Sequence, residues 1–268
     1  MRRFKKVLTW IACVTAVLYV AVCTFFYSEQ NEILFVPTKL AADYQFSFPG
    51  QFKELNVKTR DGFTLDGGLF KTDSAKGLIF YLHGNAGALS TWGEIAGIYT
   101  SLGYDLFILD YRGYGKSEAQ ITSEVQLFDD VQIAYDSLRK QYPENKIVIL
   151  GYSIGTGPAA MLAAHNNPKM LILQAPYYSM KDMMEHTYPF LPTFMLNYPL
   201  NTDGFIKETK APIVIFHGDG DEVIYYGSSV KLKKELKPGD TLITLNGQGH
   251  NGFTKNKQYL TDLEKVLK

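Results

Sequence analysis

The chain has 268 residues, 46% apolar and 20% charged, and its 27 basic side chains balance 27 acidic ones. This is the profile of an ordinary globular protein, with one large α/β domain or two small ones. Arg2, Arg3, Lys5 and Lys6 fall in the first six positions, so the rest of the chain is net acidic, and with no basic stripe along it nucleic acid is not an expected partner.

Residues 7–27 carry no charge. As a helix rising about 1.5 Å per residue this run would be roughly 31 Å long, which matches the hydrocarbon core of a bilayer. The basic flank before it is expected to stay cytoplasmic, which puts everything after it on the far side. A cleaved signal peptide would have a shorter apolar core followed by a small-x-small site. Here Phe25, Phe26 and Tyr27 stand in the way, and Ala21-Val22-Cys23 lacks the small residue that a lipoprotein site wants directly before its cysteine. The reading is a cytoplasmic flank at 1–6, an uncleaved single-pass anchor at 7–27 with Trp10 and Tyr27 at its interfaces, and an extracytoplasmic domain at 28–268. Cys13 and Cys23, the two cysteines, both lie in the anchor. Ten helical residues set them about 15 Å apart, too far for a disulfide between them.

Residues 32–37 open the domain. Residues 52–59 alternate as a strand, Asp61-Gly62 marks a turn, and 63–70 is the hairpin partner. Residues 77–82 are a buried strand running into His83-Gly84-Asn85-Ala86-Gly87, followed by a helix over about 90–101. The strand 104–110 enters Tyr111-Arg112-Gly113-Tyr114-Gly115-Lys116-Ser117. Val125, Phe128, Val131, Ala134, Tyr135 and Leu138 have helical spacing. Apolar runs at 147–150, 169–174, 213–216 and 242–245 read as further strands, and a helix begins near Lys257. This alternation predicts a mostly parallel sheet covered on both faces, opening with an antiparallel hairpin. In such sheets the site lies at the carboxyl ends of the strands, where every polar motif of this chain falls.

The strand at 147–150 runs into Gly151-Tyr152-Ser153-Ile154-Gly155-Thr156-Gly157, and good helix formers follow from Pro158 to Ala164. Small residues by themselves make a tight strand-to-helix turn. The spacing also fits a G-x-S-x-G nucleophile elbow, in which the glycines let strand and helix pass close to a strained serine. The Ile154 N–H, at the helix start, can then face a developing oxyanion. A serine hydroxyl needs a base, and the base needs a third group to fix its tautomer. Among the five histidines, His83 reads as a loop residue beside an oxyanion hole, His165 as a solvated or capping residue, His186 as part of a polar-aromatic insertion and His217 as a structural residue ending a strand. His250 lies in the Gly-rich loop Asn246 to Gly252 after the last strand and is the expected base. For the acid, the run from Phe216 to Ile224 offers Asp219, Asp221 and Glu222, in the serine, acid, histidine order that the topology requires. Gly218 and Gly220 suit a turn carrying Asp219 into solvent, whereas Asp221 precedes a stretch that can re-enter the fold.

These motifs together resemble those of the α/β-hydrolase superfamily of serine hydrolases, over about residue 52 to the C-terminus. The anchor followed by Ile33-Leu34-Phe35-Val36-Pro37 resembles the membrane-anchored branch that includes protein depalmitoylases. The resemblance implies Asp221 as the acid, since it lies four residues after His217, and oxyanion N–H groups from Asn85 or Ala86 and from Ile154. It also implies a reaction without metal or organic cofactor. The 175–212 insertion is rich in Met and aromatic residues. A crossover helix with a core-facing stripe would explain part of it; a small lid over an acyl pocket, with Met183, Met184, Tyr188, Phe190 and Phe194 touching substrate, explains the density. The expected activity is cleavage of acyl esters or thioesters, on a small-molecule or lipid acyl substrate. A peptidase of the same fold and a non-catalytic member binding a lipid or partner are the alternatives, since the fold does not choose a substrate.

Overall fold

The computed structural model describes residues 2–268. Strands β1 (Gln51–Lys58), β2 (Thr64–Lys71), β3 (Leu78–Leu82), β4 (Asp105–Leu109), β5 (Ile147–Tyr152), β6 (Met170–Gln174), β7 (Ile213–Gly218) and β8 (Thr241–Leu245) form one sheet. Their order is β8-β7-β6-β5-β3-β4-β2-β1. The β1–β2 hairpin is antiparallel, as is β2 with β4, and the remaining neighbours are parallel. β3, β4 and β5 are buried along their whole length. That is why their sequences are continuous apolar runs rather than alternating ones.

Helix α1 (Arg2–Ser28) is 27 residues long, buries none of them, and is the helix among the described residues long and apolar enough to cross a membrane. It takes in the basic stretch 2–6 together with the uncharged run 7–27, as one rod of about 40 Å. Helix α2 (Gln30–Leu34) follows at once. The helix expected over 90–101 is broken into Leu89–Trp92, a 3-10 turn Gly93–Ile95 and α3 (Ala96–Ser101). The break falls at Gly93, where the rings of Phe48 and Phe70 occupy the space a Cβ would need.

Helices α4 (Glu124–Arg139), α5 (Thr156–His165), α7 (Thr202–Glu208) and α8 (Gly227–Lys233) contribute Val131, Ala159, Ile206 and Leu232 to the core on one face of the sheet. On the other face α3 and α9 (Lys257–Leu267) bury Tyr99, Tyr259 and Leu263. The 175–212 segment divides in two. Helix α6 (Met180–Thr187) and the 3-10 turn Thr193–Met195 overlie the cleft described below, whereas α7 packs into the core with Thr202 and Ile206 buried. Part of the insertion is thus a crossover helix, and the lid is its first half.

After α2 the chain runs between two loops at the carboxyl end of the sheet. Val36–Pro37 pairs in parallel with Ala86–Gly87. Val36 N–H donates to the Asn85 carbonyl at 2.8 Å, and Gly115 N–H donates to the Thr38 carbonyl at 2.9 Å. The chain leaving α1 and α2 is therefore fastened to the loop that follows β3.

Candidate active site

The parallel register sets Gly151 beside Leu82 of β3 and Leu173 of β6, so the chain leaves β5 in the middle of the carboxyl edge. A 3-10 turn, Ser153–Gly155, leads from β5 into α5. Ser153 has φ of 53°. A side chain rarely adopts that left-handed region, at a strain of order 1–3 kcal/mol, and the surroundings must hold it there. Close packing does so: a Cβ on Gly151 would lie 2.7 Å from the Ala159 Cβ, and one on Gly155 would lie 2.7 Å from the His83 carbonyl oxygen. Tyr177 braces the turn as well, donating its hydroxyl to the Ile154 carbonyl at 3.1 Å and accepting from Gly157 N–H at 3.0 Å.

The structure brings Ser153, His250 and Asp221 together from three different strand ends, with each of the three buried. His250 Nε2 is 3.0 Å from Ser153 Oγ and its Nδ1 is 2.8 Å from Asp221 Oδ2. A carboxylate only accepts, so Nδ1 carries the hydrogen and Nε2 is left to accept from the serine hydroxyl. Asp221 Oδ1 accepts from the N–H groups of Val223 and Ile224, each at 2.8 Å. Burial by itself would push the Asp221 carboxyl up; hydrogen bonds from His217 and His250, with the Val223 N–H, outweigh it and hold the carboxyl well below the usual carboxylate range. Tyr152 steadies the histidine from below, donating its hydroxyl to the His250 carbonyl at 2.8 Å.

His217 has a closer part in this arrangement than its sequence position shows. Its Nε2 lies 3.2 Å from Asp221 Oδ2 and 3.0 Å from the Ile224 carbonyl, both acceptors, so Nε2 carries a hydrogen. Nδ1 then accepts from the Ser229 hydroxyl at 2.6 Å. The four-residue spacing from His217 to Asp221 is the only sequence signal of that contact. Asp219 is exposed, as its flanking glycines suggest, and its Oδ1 accepts from Gly247 N–H at 2.6 Å, tying the acid turn to the histidine loop. His165 is exposed at the end of α5, and His186 stacks on Tyr225 at 3.8 Å.

Asn85 and Ile154 line the cleft beside Ser153. Ala86 does not, and its carbonyl accepts from the Trp92 indole N–H at 2.9 Å. The Asn85 carbonyl accepts from both Val36 N–H and the Tyr114 hydroxyl, the latter at 2.6 Å, which fixes the peptide plane of this loop. Asp110 Oδ1 accepts from Leu89 N–H at 2.7 Å and anchors the end of the same loop. Buried His83 donates Nδ1–H to the Gly84 carbonyl at 2.7 Å. The Asp110 to Ser117 motif thus shapes the Asn85 loop from beneath, a role its sequence alone does not disclose.

A cleft of about 310 Å³ opens above Ser153. Met183, Met184 and Tyr188 line it together with Met180, Leu191 and Met195. Phe190 and Phe194, expected to touch substrate, do not line it: they face outward, 54% and 88% exposed. In their place the far wall is made by Phe26, Tyr27, Gln30, Ile33 and Leu34, from the end of α1 and from α2. A hydropathy reading treats residues up to Tyr27 as anchor and so gives no sign that they enclose a cleft. Among the described residues no group of three or more His, Cys, Asp or Glu is placed to hold a metal ion.

Known proteins share this fold. The chain matches the family described as serine aminopeptidase, S33, over residues 73–203. Human alpha/beta hydrolase domain-containing protein 17B is 34% identical over 202 residues, covering 72% of this chain and 67% of its own length. The chain belongs to the α/β-hydrolase family. An uncharacterized Mycobacterium tuberculosis protein is 28% identical over 248 residues, 90% of this chain and 87% of that one. An esterase from Pyrococcus furiosus superposes with a TM-score of 0.70 at 17% identity, over 87% of this chain and 96% of the esterase. In this α/β-hydrolase the 73–203 match takes in the Asn85 loop and the Ser153 elbow. Asp221 and His250 reach the site from the two strands beyond it.

Proposed function

We propose that this hydrolase is a membrane-anchored serine enzyme that cleaves carboxylic acyl esters or thioesters through an acyl-enzyme on Ser153. The observation that carries the reading is the 3.0 Å contact of Ser153 Oγ with His250 Nε2, backed by Asp221 at 2.8 Å, on the floor of an apolar cleft. His250 takes the hydroxyl proton as Oγ attacks the acyl carbon, and the carbonyl oxygen becomes an oxyanion. The N–H groups of Asn85 and Ile154 donate to that oxygen, the second with the help of the α5 dipole. When the tetrahedral adduct collapses, the alcohol or thiol leaves with the proton that His250 returns. Water, deprotonated in turn by His250, then releases the acid and restores the serine. Ionised Asp221 keeps Nδ1 protonated throughout, so that Nε2 is the nitrogen that exchanges protons with Ser153 and the leaving group. Arg2, Arg3, Lys5 and Lys6 hold the start of α1 in the cytoplasm, and the hydrolase domain lies across the membrane.

A second reading, amide hydrolysis, is favoured by the description of the matched family as an aminopeptidase. The cleft weighs against it, because a Met- and Leu-lined wall suits an acyl chain better than a peptide backbone whose polar groups need partners. Purified full-length protein is assayed on acyl p-nitrophenyl esters, acyl thioesters and aminoacyl amides. Ester and thioester turnover without amide turnover is expected; turnover of amides alone would move the reading to the peptidase. Failure on all three classes, with no reaction toward a fluorophosphonate, would make the protein a non-catalytic member.

A further inference from the structure

The end of α1, the start of α2 and the tip of the lid are joined at three points, one of them, at Tyr19, well inside the apolar run 7–27. The Tyr19 hydroxyl donates to the Phe190 carbonyl at 2.8 Å, the Phe26 ring lies 5.2 Å from that of Tyr188, and the Gln30 side chain donates to the Met195 carbonyl at 2.8 Å. Gln30 also accepts from Asn197 N–H at 2.8 Å. Tyr19 precedes Tyr27 by eight residues, which is about 12 Å along the helix axis. If residues 7–27 fill a hydrocarbon layer roughly 30 Å thick, the Phe190 carbonyl meets the helix inside that layer rather than at its surface.

The lid tip has the composition for such a place, and part of its backbone is paired within the protein. Residues 188–196 read Tyr-Pro-Phe-Leu-Pro-Thr-Phe-Met-Leu, without a charge. Phe190 and Phe194 point away from the cleft, and α1 itself leaves Val17, Leu18 and Phe25 open nearby in the chain. In water, rings so exposed forfeit hydrophobic stabilisation that lipid would restore. Backbone polar groups in hydrocarbon must find partners within the protein. Here Pro189 and Pro192 bring no N–H. Leu191 N–H donates to the Tyr188 carbonyl at 2.9 Å, Met195 N–H to Pro192 at 3.2 Å and Leu196 N–H to Thr193 at 3.3 Å. The Tyr19 hydroxyl serves the Phe190 carbonyl.

We propose that the lid tip, residues 188–196, sits in the leaflet on the hydrolase side, and that an acyl chain reaches the cleft laterally from that leaflet as the lid parts from Phe26–Tyr27. The substrate is then a long-chain acyl ester or thioester resident in the same leaflet, whose chain slides in along Met183, Met184 and Ile33 while its carbonyl rises to Ser153. This rests on the hydrolase reading above and adds to it the source and length of the acyl chain.

Two measurements on the full-length chain in phosphatidylcholine vesicles test it. In the first, Cys13 and Cys23 are replaced by serine and a nitroxide is placed at Phe194→Cys, with Lys234→Cys as the aqueous control. Oxygen collisions are expected to dominate over those of a water-soluble nickel chelate at 194, with the reverse at 234. Nickel accessibility at 194 equal to that at 234 would overturn the insertion. In the second, Phe190→Asp/Phe194→Asp is assayed on a long-chain acyl ester incorporated in the vesicles and on a soluble acetyl ester. Turnover of the vesicle-borne ester is expected to fall tenfold or more, with acetyl ester turnover and fluorophosphonate labelling of Ser153 kept. An equal effect on both esters, or none on either, would overturn lateral entry. Absence of labelling in the parent chain would strike the hydrolase reading instead, and the nitroxide depth is read independently of it.

Discussion

At the elbow Ser153, Ile154 and Gly155 are all buried, and the glycines touch neighbouring backbone directly. Across the cleft, residues 185–190 of the lid are all exposed, and their inner neighbours Met183 and Met184 are flexible and only partly covered. The lid is fastened at its edges, by the Asp182 contacts to Tyr225 and Lys231 and by Gln30 and Tyr19 from the side of α1 and α2. The difference follows what each wall touches. In the proposed reaction, proton transfer from Ser153 to His250 would tolerate little displacement, whereas an acyl chain would offer no directional contacts and would be met by side chains that can adjust. Substitutions on the two walls should therefore fail in different ways.

The largest effect is expected on the elbow side, at the acid. Asp221→Asn keeps the shape but lets the histidine adopt the wrong tautomer, and turnover should fall by about 10⁴, as that change does in a serine protease. Asp219→Asn should stay within about tenfold, since the amide oxygen can still accept from Gly247 N–H and only an exposed charge is lost. Steady-state kinetics on the two variants separate the aspartates, and the reverse ranking would exchange their roles. The same variant has a pH signature. Because the folded-state carboxyl lies below its ordinary value of 3.8, Asp221 contributes stability above that pH and loses it as pH falls through the depressed value. The gap in denaturant stability between parent and Asp221→Asn should therefore be widest near neutrality and narrow below pH 3.8. A gap that stays constant into acid would remove the ionised carboxylate from the site.

Gly155→Ala is expected to come next. Its new Cβ would press on the carbonyls of Leu82, the last residue of a central strand, and of buried His83 just after it, which cannot step aside. Overpacking of this kind costs about 1–3 kcal/mol, and the melting temperature should drop with it. The smallest effect belongs to the lid. Met183→Ala should cost under about 1.5 kcal/mol of stability, since the residue is only partly buried and its neighbours can adjust. It should instead shift the preferred acyl length, read from turnover of an ester series. A drop in melting temperature as large as that of Gly155→Ala would erase the contrast between the walls.

Much of the sheet can be read from the chain because β3 to β7 are buried on both faces and written as unbroken apolar runs. The polar residues after each run mark the carboxyl edge, which is why Ser153, Asp221 and His250 stand out in the sequence itself. Contacts across long sequence separations are another matter. His217 reads as the end of a strand, and only the fold turns its Nε2 toward Asp221. A crossover helix is expected within 175–212, but the position of α7 is hidden because its seven residues are too few for a periodic signal. The wall from Phe26 to Leu34 is hidden for a deeper reason: apolar residues at the end of a span satisfy hydropathy whether they meet lipid or a cleft. Phe190 and Phe194 show the converse. Their aromatic character marks them as contact residues, but composition alone does not say which side of the lid they face.

The most direct test of the Ser153, His250 and Asp221 arrangement is to treat the full-length protein with a fluorophosphonate, map the adduct by peptide mass, and measure ester turnover by Ser153→Ala in parallel. The adduct is expected on Ser153, with none formed by the variant and turnover at background. An adduct on another residue, or turnover unchanged by Ser153→Ala, would contradict the assignment of the nucleophile and with it the proposed chemistry.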